Sequence, residues 1–211
     1  MSLVKNSLFG VCFCALFSVA FFIGAAEAKD VPLTRLDVAS FLKVQEAMYP
    51  VDKDFRGGGG DSIFRPKQND LARTGQPAYQ MNVQNLQNNH PDFYVRFENV
   101  VVGYVDENKQ KPFESLDSWA SMGDRVMTAF YAANTSKAAS AKLKFEGVPP
   151  EAMALIQSIP EAKKAMDDAI GAMDTMASVP ENDRKVVQSF SKEIVLHMNR
   201  VKGKDGYAIS D

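Results

Sequence analysis

Between Ser115 and Val201 apolar side chains recur at three- and four-residue intervals, with polar residues filling the positions between them. A helix of 3.6 residues per turn gathers such positions on one face. The first segment opens at Ser115, whose hydroxyl can cap a helix start, and Asp117 then meets the positive end of the helix dipole. Leu116, Trp119, Ala120, Val126, Met127, Phe130 and Tyr131 share a face. Gly123 lies on it too. A glycine inside a helix costs about 1 kcal/mol relative to alanine, so its place there predicts the close approach of another backbone.

Three further starts are marked by proline: Val148-Pro149-Pro150-Glu151, Ser158-Ile159-Pro160-Glu161 and Ser178-Val179-Pro180-Glu181. Proline is tolerated in a first turn because its missing N–H would have no partner there, and Ser-x-x-Glu is the spacing of a capping box. Behind these starts Ala152, Leu155, Ile156 and Ile159, then Ala162, Met166, Ala169, Ile170, Met173 and Ala177, keep helical time. A single last helix is expected to present Val187, Phe190, Ile194, Met198 and Val201 and to stop at Gly203 behind Arg200 and Lys202. One-sided helices with such short connections bury their stripes against each other. The fold class is therefore all-α, an antiparallel helical bundle over 91–203 with one N-terminal helix packed on it.

That helix is expected over 29–50. Thr34 and Asp37 stand at capping-box spacing, Leu33 and Val38 can form a hydrophobic staple, and Val38, Phe41, Leu42, Gln45 and Met48 continue one face until Pro50 ends it. Residues 51–90 read as an irregular Gly/Asn/Gln-rich segment, with a mobile surface loop over 51–76 and a sparse helical spacing of Tyr79, Val83 and Leu86 behind Pro77. The glycines at 57–60 lack the Lys-Ser/Thr ending and the preceding strand of a phosphate loop. From Phe93 to Val105 the β-branched content suits a hairpin and the spacing of Phe93, Phe97, Val101 and Tyr104 suits a helix. The helix is preferred, because a lone hairpin would need a partner sheet. Residues 204–211 read as a flexible tail.

The first 28 residues place Lys5 ahead of an apolar run from Leu8 to Ile23 and close on Ala26-Glu27-Ala28. That is the layout of a cleaved secretory leader, with a mature chain expected from Lys29; the run is short for a membrane span and no charged stop-transfer sequence follows. A retained anchor helix is the rival reading. Both cysteines, Cys12 and Cys14, leave with the leader. A domain of this size can bury about 70% of its surface and do without disulfides, whereas small animal secreted domains are usually stapled by them. The expected location is accordingly a bacterial periplasm or exterior. Lys5 and Glu27 offset each other, so the net charge stays at −2, with acidic and basic residues interspersed. No basic stripe suits nucleic acid, and no stable membrane span is expected after cleavage.

Without a mature cysteine, thiol nucleophiles and thiolate metal sites are excluded. No nucleophile elbow and no His-Glu-x-x-His motif is present, and the histidines are His90 and His197 alone. Asp167 and Asp168 are adjacent, so on a helix they point about 100° apart and read as a solvated face. Asp124 and Arg125 could act in a buried ion pair or bind an anionic ligand, but a helix-surface or interhelical pair is the preferred reading. His197, at the edge of an apolar face, reads as a satisfied boundary histidine. Methionine is in excess, with Met166, Met173 and Met176 on one helix. Thioethers fill irregular cores, which is the reading taken; they also ligate Cu(I) and haem iron. The alternative is thus haem b or copper held by His197 with Met48, Met166 or Met173. Covalent haem is excluded, since Cys-x-x-Cys-His is absent. No catalytic residue, resident cofactor or metal site is assigned.

The segment Trp119-Ala120-Ser121-Met122-Gly123-Asp124-Arg125-Val126-Met127, with alanine- and methionine-rich helices behind it, resembles small exported all-helical bacterial proteins of unassigned activity, over roughly 92–200. The resemblance implies an all-α exported protein and carries over no catalytic residue; the glycine run at 57–60 departs from that group. The functional expectation is a non-enzymatic protein that acts by binding or structural interaction, with a protein or small-molecule partner.

Overall fold

The computed structural model describes residues 31–64, 78–135 and 148–202, the side chains of Val201 and Lys202 excepted. Among them are eight helices: α1 (Arg35–Gly57), α2 (Ala78–Asn89), α3 (Pro91–Gly103), α4 (Leu116–Asn134), α5 (Pro150–Ser158), α6 (Pro160–Ala177), α7 (Glu181–Gln188) and α8 (Ser191–Lys202). No strand occurs among the described residues. The chain is an all-α bundle, and all eight helices belong to the unit that begins at Leu33. None of the described helices is long and apolar enough to cross a membrane.

The helix starts read from side-chain chemistry form as expected at two places. Thr34 accepts from the Asp37 amide and Asp37 returns the bond to the Thr34 amide, closing the box at the head of α1. Ser115 does the same with Ser118 at the head of α4, where the Glu98 carboxylate from α3 also takes the Leu116 N–H at 2.6 Å. The boxes expected at Ser158 and Ser178 do not form. Those hydroxyls donate backwards to the carbonyls of Leu155 and Thr175, closing the ends of α5 and α6. The prolines alone mark the starts that follow: Pro150 and Pro160 stand in their first turns and Pro180 directly precedes α7.

Helix α4 is the axis of the bundle, touching α1, α2, α3, α6 and α7. Trp119 is fully buried, stacked on Phe41 of α1 with centroids 5.4 Å apart and met edge-on by Tyr79 and Phe64. Its indole N–H donates to the Phe41 carbonyl, so the one polar atom of the side chain is satisfied inside the core. Burying a large apolar side chain contributes about 1.5–3 kcal/mol, and this aromatic knot joins α1, α2 and α4. Helices α1 and α3 run antiparallel: Phe55 near the end of α1 packs on Phe93, Asp54 pairs with Arg96, and Lys43 reaches Glu107 beyond the end of α3.

Several expectations are corrected. Pro50 does not end α1, which continues to Gly57. A proline inside a helix costs about 3 kcal/mol, and the turns after it recover more through tertiary contacts, with Phe55 and Asp52 both buried. Asp52 accepts from the Ser62 hydroxyl and the Ile63 amide and pairs with Arg56, folding 58–64 back on the helix with Ile63 and Phe64 in the core. The expected mobile loop is therefore packed through residue 64; its remainder lies outside the described residues, as do the leader and the tail. Residues 78–89 are a regular helix rather than an irregular segment, whereas over 91–103 the preferred helix is the one that forms. The close neighbours at Gly123 are rings, not a backbone: an added Cβ would lie 2.8 Å from Phe41 and 3.1 Å from Tyr79.

The expected last helix is two. It breaks at Ser189 and Phe190, where the Ser189 and Ser191 hydroxyls bond the Val186 and Gln188 carbonyls and offer the backbone a tight turn in place of a continuing helix. Helices α5 and α6 form a hairpin outside the main core. α5 buries none of its residues and α6 only Ala172, with Leu155 and Ile159 exposed and Met166 and Met173 half-buried, so these methionines are not the core fillers expected. Arg184 of α7 holds this hairpin by donating to the carbonyls of Met176, Ala177 and Val179 at the end of α6.

Candidate functional site

The carboxylates and the imidazole buried in the described bundle are Asp52, Asp124, Asp183 and His197, with the phenols of Tyr49 and Tyr79 buried beside two of them. A buried charge is costly unless it is paired and hydrogen-bonded, so each must be traced to its partners before it is given a chemical role.

Asp124 and Arg125 leave α4 in different directions. The Asp124 carboxylate accepts from the Tyr79 and Gln80 amides at 2.7 and 3.0 Å, capping α2 from across the bundle. Three residues into the chain's second helix the backbone offers unpaired N–H groups and the positive end of a dipole, which is where a carboxylate binds best. Burial raises the pKa of Asp124 above the ordinary carboxylate value, and the amides at Ala78, Tyr79 and Gln80 pull the other way. Tyr79 beside it is shifted upward by burial and then by the Asp124 charge, which keeps its phenol protonated. Arg125 pairs with Asp183 of α7, its Nη2 2.8 Å and its Nε 3.2 Å from the same carboxylate oxygen. The other Asp183 oxygen takes the Leu33 amide at 2.8 Å, and Asn182 donates to the Leu33 carbonyl. Asp183 thus holds α4, α7 and the start of the unit together. The interhelical reading of this pair is the one the structure bears out, with a partner 58 residues away.

His197 faces α1. The Tyr49 hydroxyl and His197 Nδ1 share a hydrogen bond. Arg200, one turn on, lies over the Tyr49 ring with its guanidinium carbon 5.6 Å from the centroid and pairs with Glu46 at 3.1 Å. Burial lowers the pKa of His197 below the usual histidine value, and the Arg200 charge adds to that. The Tyr49 phenol is pushed up to about 12 by burial, against the pull of Arg200. The cluster is therefore a neutral imidazole tied to a neutral phenol beside a compensated guanidinium.

The residues proposed for haem or copper sit on three helices, Met48 on α1, Met166 and Met173 on α6 and His197 on α8. Met48 is fully buried on α1, and adjacent helix positions diverge by about 100°, so it does not share the direction of Tyr49, the residue that meets His197. Met166 and Met173 sit on α6, which packs on α4 and α5, whereas α8 packs on α1. Asp167 and Asp168 pair with Lys163 and Lys164 on α6; Asp167 is exposed as expected, and Asp168 is half-buried. His90 precedes α3, exposed, and packs its ring on Phe55.

Glu46, Tyr49, Asp52, Asp183 and Arg200 were not singled out in the sequence. For Asp52 the misplaced helix end hid the signal, since on a helix running through Pro50 it falls one turn beyond Met48 on the buried face. For Asp183 the only local mark is its first-turn position behind Pro180. No family model matches the chain, and no curated protein and no solved structure matches it either.

Proposed function

We propose that this chain is an exported helical protein that acts by binding or structural interaction and not by turning over a substrate. The observation that carries the reading is the engagement of its interior polar groups. Asp52 holds a loop to α1, Asp124 caps α2, Asp183 joins α7 to α4 and to Leu33, and His197 ties α8 to α1. Enzymes use buried, shifted carboxylates and histidines as acids, bases and nucleophiles set toward a substrate. Here the shifted groups point at other helices, and their shifts have structural causes. Export is supported by the leader pattern of the first 28 residues.

The test uses protein purified from its own host. Its intact mass is expected to begin at Lys29, its native mass spectrum to carry a retained ligand or subunit, and panels of hydrolase and oxidoreductase substrates to show no turnover. A mass that still includes Met1 would replace the cleaved leader with a retained anchor. Turnover abolished by one polar substitution that leaves the fold intact would remove the binding reading.

A further inference from the structure

Helix α8 adds Ile194 and His197 to the buried set, with Phe190 and Met198 packed beside them, and it rests chiefly on α1. Its polar attachments to α1 converge on a few side chains. From α1 come the Tyr49 hydroxyl, which hydrogen-bonds His197 Nδ1, and the Glu46 carboxylate, which pairs with Arg200; the Asp52 charge also acts on the phenol. From α8 come His197, Arg200 and Glu193, the last acting on the imidazole through its charge. Phe64 packs edge-on against the Tyr49 ring, and Arg35 at the head of α1 lies over Phe190.

Arg200 hydrogen-bonds the Tyr49 oxygen, and the Tyr49 hydroxyl also bonds His197 Nδ1. In the imidazolium both ring nitrogens are donors, so Nδ1 would require the Tyr49 oxygen to accept from it while that oxygen already accepts from Arg200. Protonation would also place a second cation next to the guanidinium in a buried position. Glu46 and Glu193 oppose this, but Glu46 is already bound to Arg200 and its side chain is more than half exposed, so its charge is screened.

We propose that α8 is an acid-released latch: protonation of His197 breaks its seat on Tyr49 and frees the helix, uncovering the apolar seam of α1 while the α1–α4 core stays folded. The linkage runs in one direction. Burial and Arg200 hold the docked imidazole below its ordinary value, so undocked α8 takes up the proton first. Docking is complete above about pH 6.5, the ordinary histidine value, and weakens as the pH falls below it, levelling off once the docked form is protonated as well. The Tyr49 phenol, pushed up to about 12, stays protonated throughout this range.

Hydrogen exchange of the mature chain, corrected for the intrinsic rate, tests this at about pH 7.5 and about pH 5.5. Peptides covering α8 are expected to lose protection by up to about tenfold, the most that one histidine can contribute one pH unit below its ordinary value, while those covering α4 keep theirs. His197→Gln, which cannot titrate, is expected to abolish the difference. In the unsubstituted chain the imidazole NMR signal of His197 should titrate below the ordinary midpoint and in step with the α8 amides, and this holds the test even if the substituted chain fails to fold. The latch is overturned by α8 protection that ignores pH, by the same pH dependence in His197→Gln, by loss of α8 and α4 protection together, or by a His197 midpoint at or above the ordinary value.

Discussion

Asp124 and Arg125 are neighbours in the chain, and the bundle uses them to hold two different helices, α2 through the Tyr79 and Gln80 amides and α7 through Asp183. Gly123 completes the arrangement, because Phe41 and Tyr79 stand where a side chain would be. Gly123→Ala should destabilise the chain by about 1–3 kcal/mol, the cost of overpacking a filled core, since the Phe41 ring is stacked on Trp119 and has nowhere to move. The gain in helix propensity, about 1 kcal/mol, is smaller. A urea midpoint equal to that of the parent chain would contradict this. Asp183→Ala leaves the Leu33 amide and the half-buried Arg125 without their carboxylate, and the expected loss is about 1–3 kcal/mol. Arg125→Met in the same chain should recover part of it, because the stranded cation is then gone; a double-mutant cycle with zero coupling would show that the pair does not act as drawn.

At the scale of elements, α1 shows how far packing can override a local preference. Pro50 is exposed and removes the N–H that would bond the Glu46 carbonyl, yet the helix runs on for two more turns because Asp52 and Phe55 are anchored. Pro50→Ala should therefore stabilise the chain, by about 1 kcal/mol or more, as the backbone bond is restored and the ring's clash is relieved. An unchanged or lower thermal midpoint would count against that account. Asp52→Ala should act in the opposite sense and locally. It releases Ser62 and Ile63, so limited proteolysis is expected to cut at Gly57 to Gly60 in the substituted chain and to spare that stretch in the parent. Equal cutting in both would mean that the carboxylate does not hold the loop. Gly60 is required there for a separate reason, since a Cβ would overlap the Phe55 ring at 2.3 Å.

Across the whole molecule, stability is expected to be uneven. α4 is enclosed by helices on several sides and carries Trp119, whereas α5 buries none of its residues and α6 only Ala172. Local opening costs least where few apolar contacts must be broken, so amide exchange should be fastest over 150–177 and slowest over 116–134. The reverse order would mean that the hairpin is held by contacts outside the described residues. The spacing of Leu116, Trp119, Ala120, Val126, Met127 and Phe130 located α4, but the roles of its polar residues came from the fold. What the sequence alone determined is what depends on neighbours three or four positions away. Apolar periodicity, the Thr34–Asp37 box, the Ser115 cap and the proline starts follow from helical geometry and from side chains reaching their own backbone. What only the tertiary structure decided is whatever depends on a partner far along the chain: that α1 outlasts Pro50, that Asp124 caps a helix 44 residues away, that Asp183 binds Leu33, and that Tyr49 meets His197 148 residues later. Such pairings carry no periodicity, because burial chooses the partner and no local spacing encodes it.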